Sequence, residues 1–477
     1  MTAMTAAKVL DYVNSQQHVL TGLLRDLVAA ESPSAHPETH DEIRRILRLA
    51  LASVGFDSRE VGGPDQPRHV FARPAERQRQ QPFQLIIGHF DTVWPVGTVE
   101  ERPFRIDGNV VHGPGSFDMK GGLAQLVVAL RAIRDLRLET HVTPAIFVNA
   151  DEEIGSRSSS RYIRMLARRA NRAYVLEPAL GERGEIKTSR KGVGRFTITV
   201  YGKAAHAGLD PQSGASAILE LSHIIQKLFA LNDVERGITV NVGTIDGGIQ
   251  PNVIAPHSKA VVDVRVPTVA AGNEIEYIIH SLTPTNPDVR LHIEGGIGRP
   301  SMEPTPRNQK LWEQVRRAGG ELGIELHHTR AGGGSDGNTT SQFTATVDGL
   351  GPVGDGAHAV HEHLLVDKTL ERAALLTLLL TAPPMAFLPN SVPCGPRSTS
   401  ARSRSKRSKT WPAARPSWPV RLCPIAGNSS RATRSSPTCN APGGCISAGS
   451  RCPTAKPQSS LLTDRGSSSP STNREWN

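Results

Sequence analysis

At 477 residues, 38% of them hydrophobic, the chain is long enough for two or three domains with a sizeable core. Its formal charge of +10 would suggest an anionic partner such as nucleic acid, but the charge is unevenly placed. Residues 388–477 hold 14 of the 55 Lys+Arg and 2 of the 45 Asp+Glu, so this tail carries +12 and the rest of the chain −2. All five cysteines (Cys394, Cys423, Cys439, Cys445 and Cys452) lie in the tail as well, which leaves the body without disulfides or thiolate metal sites. The N-terminus lacks a basic segment followed by an apolar core, and no apolar run approaches the roughly 18 residues of a membrane span. A cytoplasmic protein with no membrane association is expected.

Residues 8–30 carry apolar positions at helical spacing up to the break at Glu31-Ser32-Pro33-Ser34, and a second amphipathic helix is predicted over 41–54, with Ile43, Ile46, Leu47, Leu49 and Leu51 inward. The apolar run Leu85-Ile86-Ile87-Gly88 then stops on His89-Phe90-Asp91. As a buried strand it delivers His89 and Asp91 from one face, close enough for the Asp91 carboxylate to accept the second imidazole N–H, as a metal-binding histidine requires. A satisfied histidine at a strand end is the plainer reading of an isolated H-x-D pair.

The glycine-rich segment Val111 to Gly122 leads into a helix over 123–136. It lacks the third glycine and the Lys-Ser/Thr ending of a phosphate cradle, so a nucleotide site is rejected and the lone carboxylate Asp118 is its notable group. A strand over 144–150 ends on Asp151-Glu152-Glu153, three carboxylates that repel one another unless a cation is present. Another, over 172–176, ends on Glu177-Pro178. Strands alternating with helices predict an α/β fold with a mixed, mostly parallel sheet and helices on both faces, whose ligands gather at the carboxyl ends of the strands. His89, Asp118, Glu152, Glu153 and Glu177 are therefore expected to converge.

The pattern changes near residue 191. Alternating strands at 196–202, 238–245, 259–266 and 289–293, with one helix over 214–231, predict an inserted two-layer α+β domain. It contains three groups of chemical interest, His206, Asn252 and Arg265, each of which also has a plain reading as a turn or strand residue. The first pattern resumes with a helix over 308–322, the loop Gly332 to Asn338 and the cluster His358, His361 and His363, and closes with a helix over 368–381. The organisation expected is residues 1–190 and 301–385 as one catalytic domain, 191–300 as the insertion and 386–477 as a tail. Ser, Lys, Arg and Pro make up half of the tail, a composition that cannot bury a core. The tail is expected to be disordered and to derive from a frameshift past the natural end of the gene; nucleic-acid binding through it is the remote alternative.

The nitrogen and oxygen ligands in the body suit two divalent ions such as Zn2+, Co2+ or Mn2+. Two dications are balanced by Asp118, Glu153, Glu177 and a hydroxide, which leaves Glu152 free to act as a general base in hydrolysis.

In order, the motifs GHFDTVWP, HGPGSFDMKGG, NADEEIGS, VLEP, GKAAHAG, VDVRVP, GGGSDGN and GAHAVHE resemble the dizinc aminoacylase/carboxypeptidase superfamily, and within it the glutamate carboxypeptidase branch, over about residues 8–382. The resemblance implies a metallopeptidase that releases a C-terminal amino acid from a small peptide or N-acyl amino acid, with two Zn2+. It implies that His89, Asp118 and Glu177 hold one zinc and Asp118, Glu153 and His358 the other, with Asp91 orienting His89 and Glu152 as base. His358 is preferred to His361 because an acidic residue, here Glu362, follows the histidine in the family. A cis peptide is expected after Asp118. The insertion is implied to be a lid and homodimerisation domain, in which Arg265 grips the substrate carboxylate, Asn252 adds hydrogen bonds and His206 reaches the partner's site. Gly334 and Ser335 are implied to line the substrate. Glutamate-preferring members carry a basic residue at a position that falls near Glu185 here, with Arg183 and Lys187 close by. An N-acyl-amino-acid amidohydrolase or dipeptidase without glutamate preference is therefore the alternative.

Overall fold

A computed structural model describes residues 3–77 and 80–386. The readings made of residues 387–477, a disordered and frameshift-derived tail or a nucleic-acid-binding one, lie outside the described residues.

A six-stranded sheet forms the centre. Its order is Phe56–Val61, His69–Pro74, Thr143–Asn149, Phe83–His89, Ala173–Val175 and Thr346–Val347. The last four run parallel, and the first two join antiparallel, so the sheet is mixed and mostly parallel, as predicted. The strand periodicity of two sorts its apolar side chains into two cores. Ile86, Ile146, Val148 and Tyr174 face the larger core, built with helices Ala3–Ser15, Gln17–Ala29, Asp41–Ser53, Gly121–Asp135, Pro306–Glu321 and Val366–Thr381. Leu85, Ile87, Phe147 and Val175 face the opposite side, where helix Ser160–Ala167 packs through Ile163 and Ala167.

Two local expectations change. The single helix predicted over 8–30 is two helices, because Gln16 leaves helical geometry (φ −93°, ψ 14°). Leu49, expected inward, is exposed; the buried stripe of its helix is Ile43, Leu47 and Leu51, and Leu49 lies off that i, i+4, i+8 line.

The insertion is a four-stranded antiparallel sheet in the order Thr239–Gly247, His257–Val266, Gly192–Tyr201 and Arg290–Arg299. Its separate core joins Phe196, Ile198, Val262 and Val264 to Leu221, Ile224, Leu228, Ile275 and Ile279. The sequence reading missed its second helix, Val269–His280. The signals were present: Thr268 caps the helix by accepting from Ala271 N, and Ala271, Ile275 and Ile279 recur at four-residue spacing.

Three features set up the functional end of the sheet. The pairing register levels His89 with Asn149, Ile87 with Val175, and Tyr174 with Val347, so the residues that follow these strands emerge together. Gly122 lets helix Gly121–Asp135 start against the last of them, since a Cβ there would stand 2.4 Å from the Leu176 carbonyl oxygen. A small sheet that the sequence did not suggest, in the order Gly354–Asp355, His363–Leu365, Val110–His112 and Arg105–Asp107, brackets the loop of His358 and sets it beside the loop of Asp118. No helix among the described residues is long and apolar enough to cross a membrane.

Candidate metal centre

His89 ends its strand 1% exposed. Its Nδ1 lies 2.9 Å from the Asp91 backbone carbonyl oxygen, which can only accept, so the proton sits on Nδ1 and the lone pair of Nε2 is free. That lone pair faces Asp118 Oδ1 at 3.2 Å and Glu177 Oε1 at 3.5 Å. The expected contact from the Asp91 carboxylate to the imidazole is longer, 3.5 Å. Instead the carboxylate accepts from Ser34 Oγ (2.7 Å) and from the backbone N–H groups of Glu152 (3.1 Å) and Glu153 (3.2 Å). The backbone carbonyl of Asp91 orients the histidine, and its carboxylate, still paired with the imidazole, fixes the acidic turn.

Asp118 lies between two histidines, with Oδ1 toward His89 and Oδ2 3.6 Å from His358 Nε2. The peptide that follows it, Asp118–Met119, is cis. His358 Nε2 also reaches Glu153 Oε2 at 3.0 Å, whereas the ion pair of His361 is with Asp355, at 4.0 Å. His358 is held in the left-handed region at φ 62°, which non-glycine residues seldom adopt. Ligand atoms of His89, Asp118 and Glu153, and separately those of His89, Glu152 and Glu177, all lie within 4.8 Å of one another. The second grouping includes Glu152, expected to be free of metal. Its carboxylate is engaged by Arg299, at 2.5 Å from Oε1, and the same guanidinium donates to the Glu152 carbonyl at 2.7 Å.

Arg299 ends the last strand of the insertion, and nothing but its charge beside a proline marked it in the sequence. Two further supports were also missed. Buried Arg190 donates to Glu177 Oε2 (3.3 Å) and to both Asp348 oxygens (2.7 and 3.0 Å), which holds Glu177 in place. Glu362, noticed only as the acid after the histidines, accepts from the backbone N–H groups of Gly115, Phe117 and Asp118 at 2.8 to 3.0 Å and from the Trp94 indole at 2.9 Å. One carboxylate thus ties the loop of His358 to the loop of Asp118.

The residues expected around the substrate lie as follows. Ser335 is fully buried; its hydroxyl donates to Asp348 and accepts from Gly337 N as a helix cap. It positions Asp348. Gly334 is half-buried, its carbonyl near Arg190. Arg265 is paired in bidentate fashion with Asp263 of its own strand, at 2.7 and 3.1 Å. His206 and Asn252 are exposed and adjacent, joined by the bond from Ala207 N to the Asn252 carbonyl. His206 Nδ1 accepts from Gly208 N and Leu209 N, which leaves Nε2 as a donor. Among the described residues, neither His206 nor Asn252 bonds to the carboxylate cluster within its own chain.

The electrostatics favour a cation. Burial pushes Glu152 up to about 8 against the pull of Arg299, and burial, with repulsion from Asp118, pushes Glu153 up to about 7 despite His358. The hydrogen bond to Glu153 raises His358 to about 9. Burial alone would lower His89, yet Asp118, Asp91 and Glu177 raise it well above its ordinary value. Burial would raise Glu177, but His89 and Arg190 hold it well below the usual carboxylate range. Protons thus partly occupy a cluster of nitrogen and oxygen donors that divalent ions fit.

Residues 85–382, more than half of the chain, match the family model described as Peptidase family M20/M25/M40. Carboxypeptidase G2 of Pseudomonas sp. (strain RS-16) is 28% identical over 285 residues, covering 58% of this chain and 67% of the relative. A succinyl-diaminopimelate desuccinylase of Delftia acidovorans is 27% identical over 356 residues, covering 70% and 90%. Among solved structures, aminopeptidase PepT of Bacillus cereus shares the fold with a TM-score of 0.63 at 21% identity, covering 76% of this chain and 98% of that one. A dinuclear metal-binding peptidase of Bacillus subtilis does so with a TM-score of 0.54 at 16% identity, covering 77% and 98%.

Adding Zn2+ or Co2+ to chelator-treated protein should raise its melting temperature, with about 2.7 kcal/mol of stabilisation per site at a hundredfold excess over Kd. His89→Ala should bind one ion fewer by metal analysis. An unchanged melting temperature with either ion would remove the metal centre.

Proposed function

The chain belongs to Peptidase family M20/M25/M40 and is a metal-dependent hydrolase, and on that footing we propose that it cleaves the amide bond of a C-terminal amino acid in a small peptide or N-acyl amino acid. The observation that carries the reading is the convergence, at the carboxyl ends of parallel strands, of His89, Asp118, Glu153, Glu177 and His358 around Asp118, with Glu152 beside them and held by a cation instead of a histidine.

In this proposal His89, Asp118 and Glu177 would hold one zinc ion, and Asp118, Glu153 and His358 the other. Ions held there would supply polarisation of the scissile carbonyl and a more acidic water. Glu152 takes the proton of the attacking water on its carboxylate and passes it to the leaving nitrogen. Arg299 favours the ionised form of that carboxylate and aims it. Arg265 exchanges Asp263 for the terminal carboxylate of the substrate, a task suited to a planar bidentate fork, and Asn252 adds hydrogen bonds.

His206 supplies its Nε2 proton to the tetrahedral oxyanion in the partner's site of a homodimer formed through the insertion. Two features support the dimer. Among the described residues, strand Thr239–Gly247 pairs on one side only, an open edge that invites a second chain. Ile218, Leu219, Ile245 and Ile249 are exposed nearby. A sedimentation mass equal to one chain would remove His206 from this role.

A release reaction without preference for glutamate is the second reading. It is favoured by Glu185, which occupies the expected basic position and is half-buried with its backbone bonded to Leu180. The lack of cysteine in residues 1–387 supports a cytoplasmic location; fractionation of the native host tests it.

Glu152→Gln should lower kcat about 10²- to 10⁴-fold on N-acyl amino acids while metal analysis still finds both ions; near-normal turnover with metal bound would assign the base elsewhere. Arg299→Met should move the acid limb of the kcat/KM pH profile upward. The sign follows from charge: Glu152 works when ionised, the guanidinium favours that form, and its loss lets burial raise the carboxyl further. A downward shift, or none, would show that Arg299 does not act through Glu152.

A further inference from the structure

Of the clustered histidines near the end of the body, His358 joins the metal centre and His361 leans on Asp355, which leaves His363 over. In the small antiparallel sheet His363 stands directly across from His112. Their ring centroids are 5.8 Å apart and the ring planes meet at 42°. Both side chains are half-buried, so an ion in solution can reach them.

An imidazole nitrogen sits about 2.0–2.1 Å from a bound Zn2+, so two imidazoles on one ion have centroids roughly 5 Å apart at the tetrahedral angle and roughly 6.4 Å apart when opposite. The observed separation falls between these limits. The nitrogens are also free to serve. His363 Nδ1 lies 3.0 Å from the His361 carbonyl oxygen, which can only accept, so Nδ1 carries the proton and Nε2 presents its lone pair. A carbonyl in that position fixes ring and tautomer, as it does for histidines that ligate metals. Among the described residues, no hydrogen bond or ion pair engages the ring of His112 or Nε2 of His363. Burial, with Arg105 and His363 beside it, lowers His112 below the ordinary histidine value, which keeps the ring in the neutral form that binds metals at pH 7. The register places Asp355 next to His363 and Arg105 next to His112. The Arg105 guanidinium is drawn toward Asp107, 3.8 Å away, while Asp355 adds a negative charge on the other side of the pair.

We propose that His112 and His363 form a separate metal site on the small sheet, which takes one imidazole-preferring transition-metal ion such as Ni2+, Cu2+ or Zn2+, and not Mg2+ or Ca2+. The site shares no residue with the centre of His89 and Asp118. An ion bound there joins strand Val110–His112, which leads into the loop of Asp118, to strand His363–Leu365, which follows the loop of His358. It clamps the two ligand loops from outside.

The test uses the full-length protein, loaded with Zn2+ and dialysed free of excess metal, then titrated with Ni2+ by calorimetry and metal analysis. It should bind about one Ni2+ per chain more than His112→Gln or His363→Gln, since losing one of two linked ligands weakens binding on the order of 100-fold. The comparison cancels the cysteines, which all lie in the tail, and the other histidines. His361→Gln, which keeps the carbonyl that orients His363, should bind as the unmodified protein does. Without any variant, Cu2+ and ascorbate should oxidise His112 and His363 ahead of the other half-buried and exposed histidines, located by peptide mass spectrometry. Equal Ni2+ uptake by the unmodified protein and the two variants overturns the site. So does an ion that is lost with His361→Gln and kept with His363→Gln, which places it on His361 and Asp355, or oxidation spread evenly over the exposed histidines.

Discussion

Carboxylate crowding is the constraint on which the functional end of this molecule depends. Asp118, Glu152, Glu153 and Glu177 are brought within a few ångströms of His89, and two like charges about 4 Å apart repel by roughly 4 kcal/mol even at an effective dielectric of 20. The surroundings answer that repulsion with cations and N–H donors. Arg190 neutralises Glu177 from behind, Arg299 neutralises Glu152 from the insertion, and His358 leans on Glu153. What remains unmet is met by protons, as the raised values of Glu152 and Glu153 record.

Two further carboxylates serve as struts. Asp91 binds the backbone of the Glu152-Glu153 turn, and Glu362 binds the backbone of the Asp118 loop. Each fixes the chain that donates to it; against burial, His89 and the donors hold Asp91 below the usual carboxylate range, whereas burial raises Glu362 in spite of its donors. Both struts link elements far apart in sequence, so the ligand loops are positioned relative to one another as well as to their own strands. Arg299 adds a connection of another kind, since its strand belongs to the insertion while its guanidinium grips Glu152. The position of the insertion and the charge state of Glu152 are therefore coupled.

The sequence was legible wherever the information is local. The two-residue strand period, the helical stripe of Ile43, Leu47 and Leu51, and acids placed just after apolar runs all follow from short-range geometry, and they suffice for the mixed, mostly parallel sheet and for the ligand types. Leu49 and the break at Gln16 were misread because tertiary packing, not periodicity alone, decides which of several apolar positions is buried. Helix Val269–His280 was missed although its cap and spacing were visible, because the flanking strands dominated the pattern.

By itself the sequence determined the chemistry on offer: nitrogen and oxygen ligands without sulfur in the body, three acids in succession after a strand, and a basic tail set apart from a nearly neutral body. Only the tertiary structure decided how those groups are used. It shared the Asp91 carboxylate between the imidazole and the acidic turn, committed Ser335 to Asp348, paired Arg265 with Asp263 and left the side chain of Lys187 lining a cavity. The physical reason is that a polar side chain's role is set by which donors and acceptors lie within about 3 Å of it, and those partners come from strands and loops tens to hundreds of residues away, where no sequence period reaches.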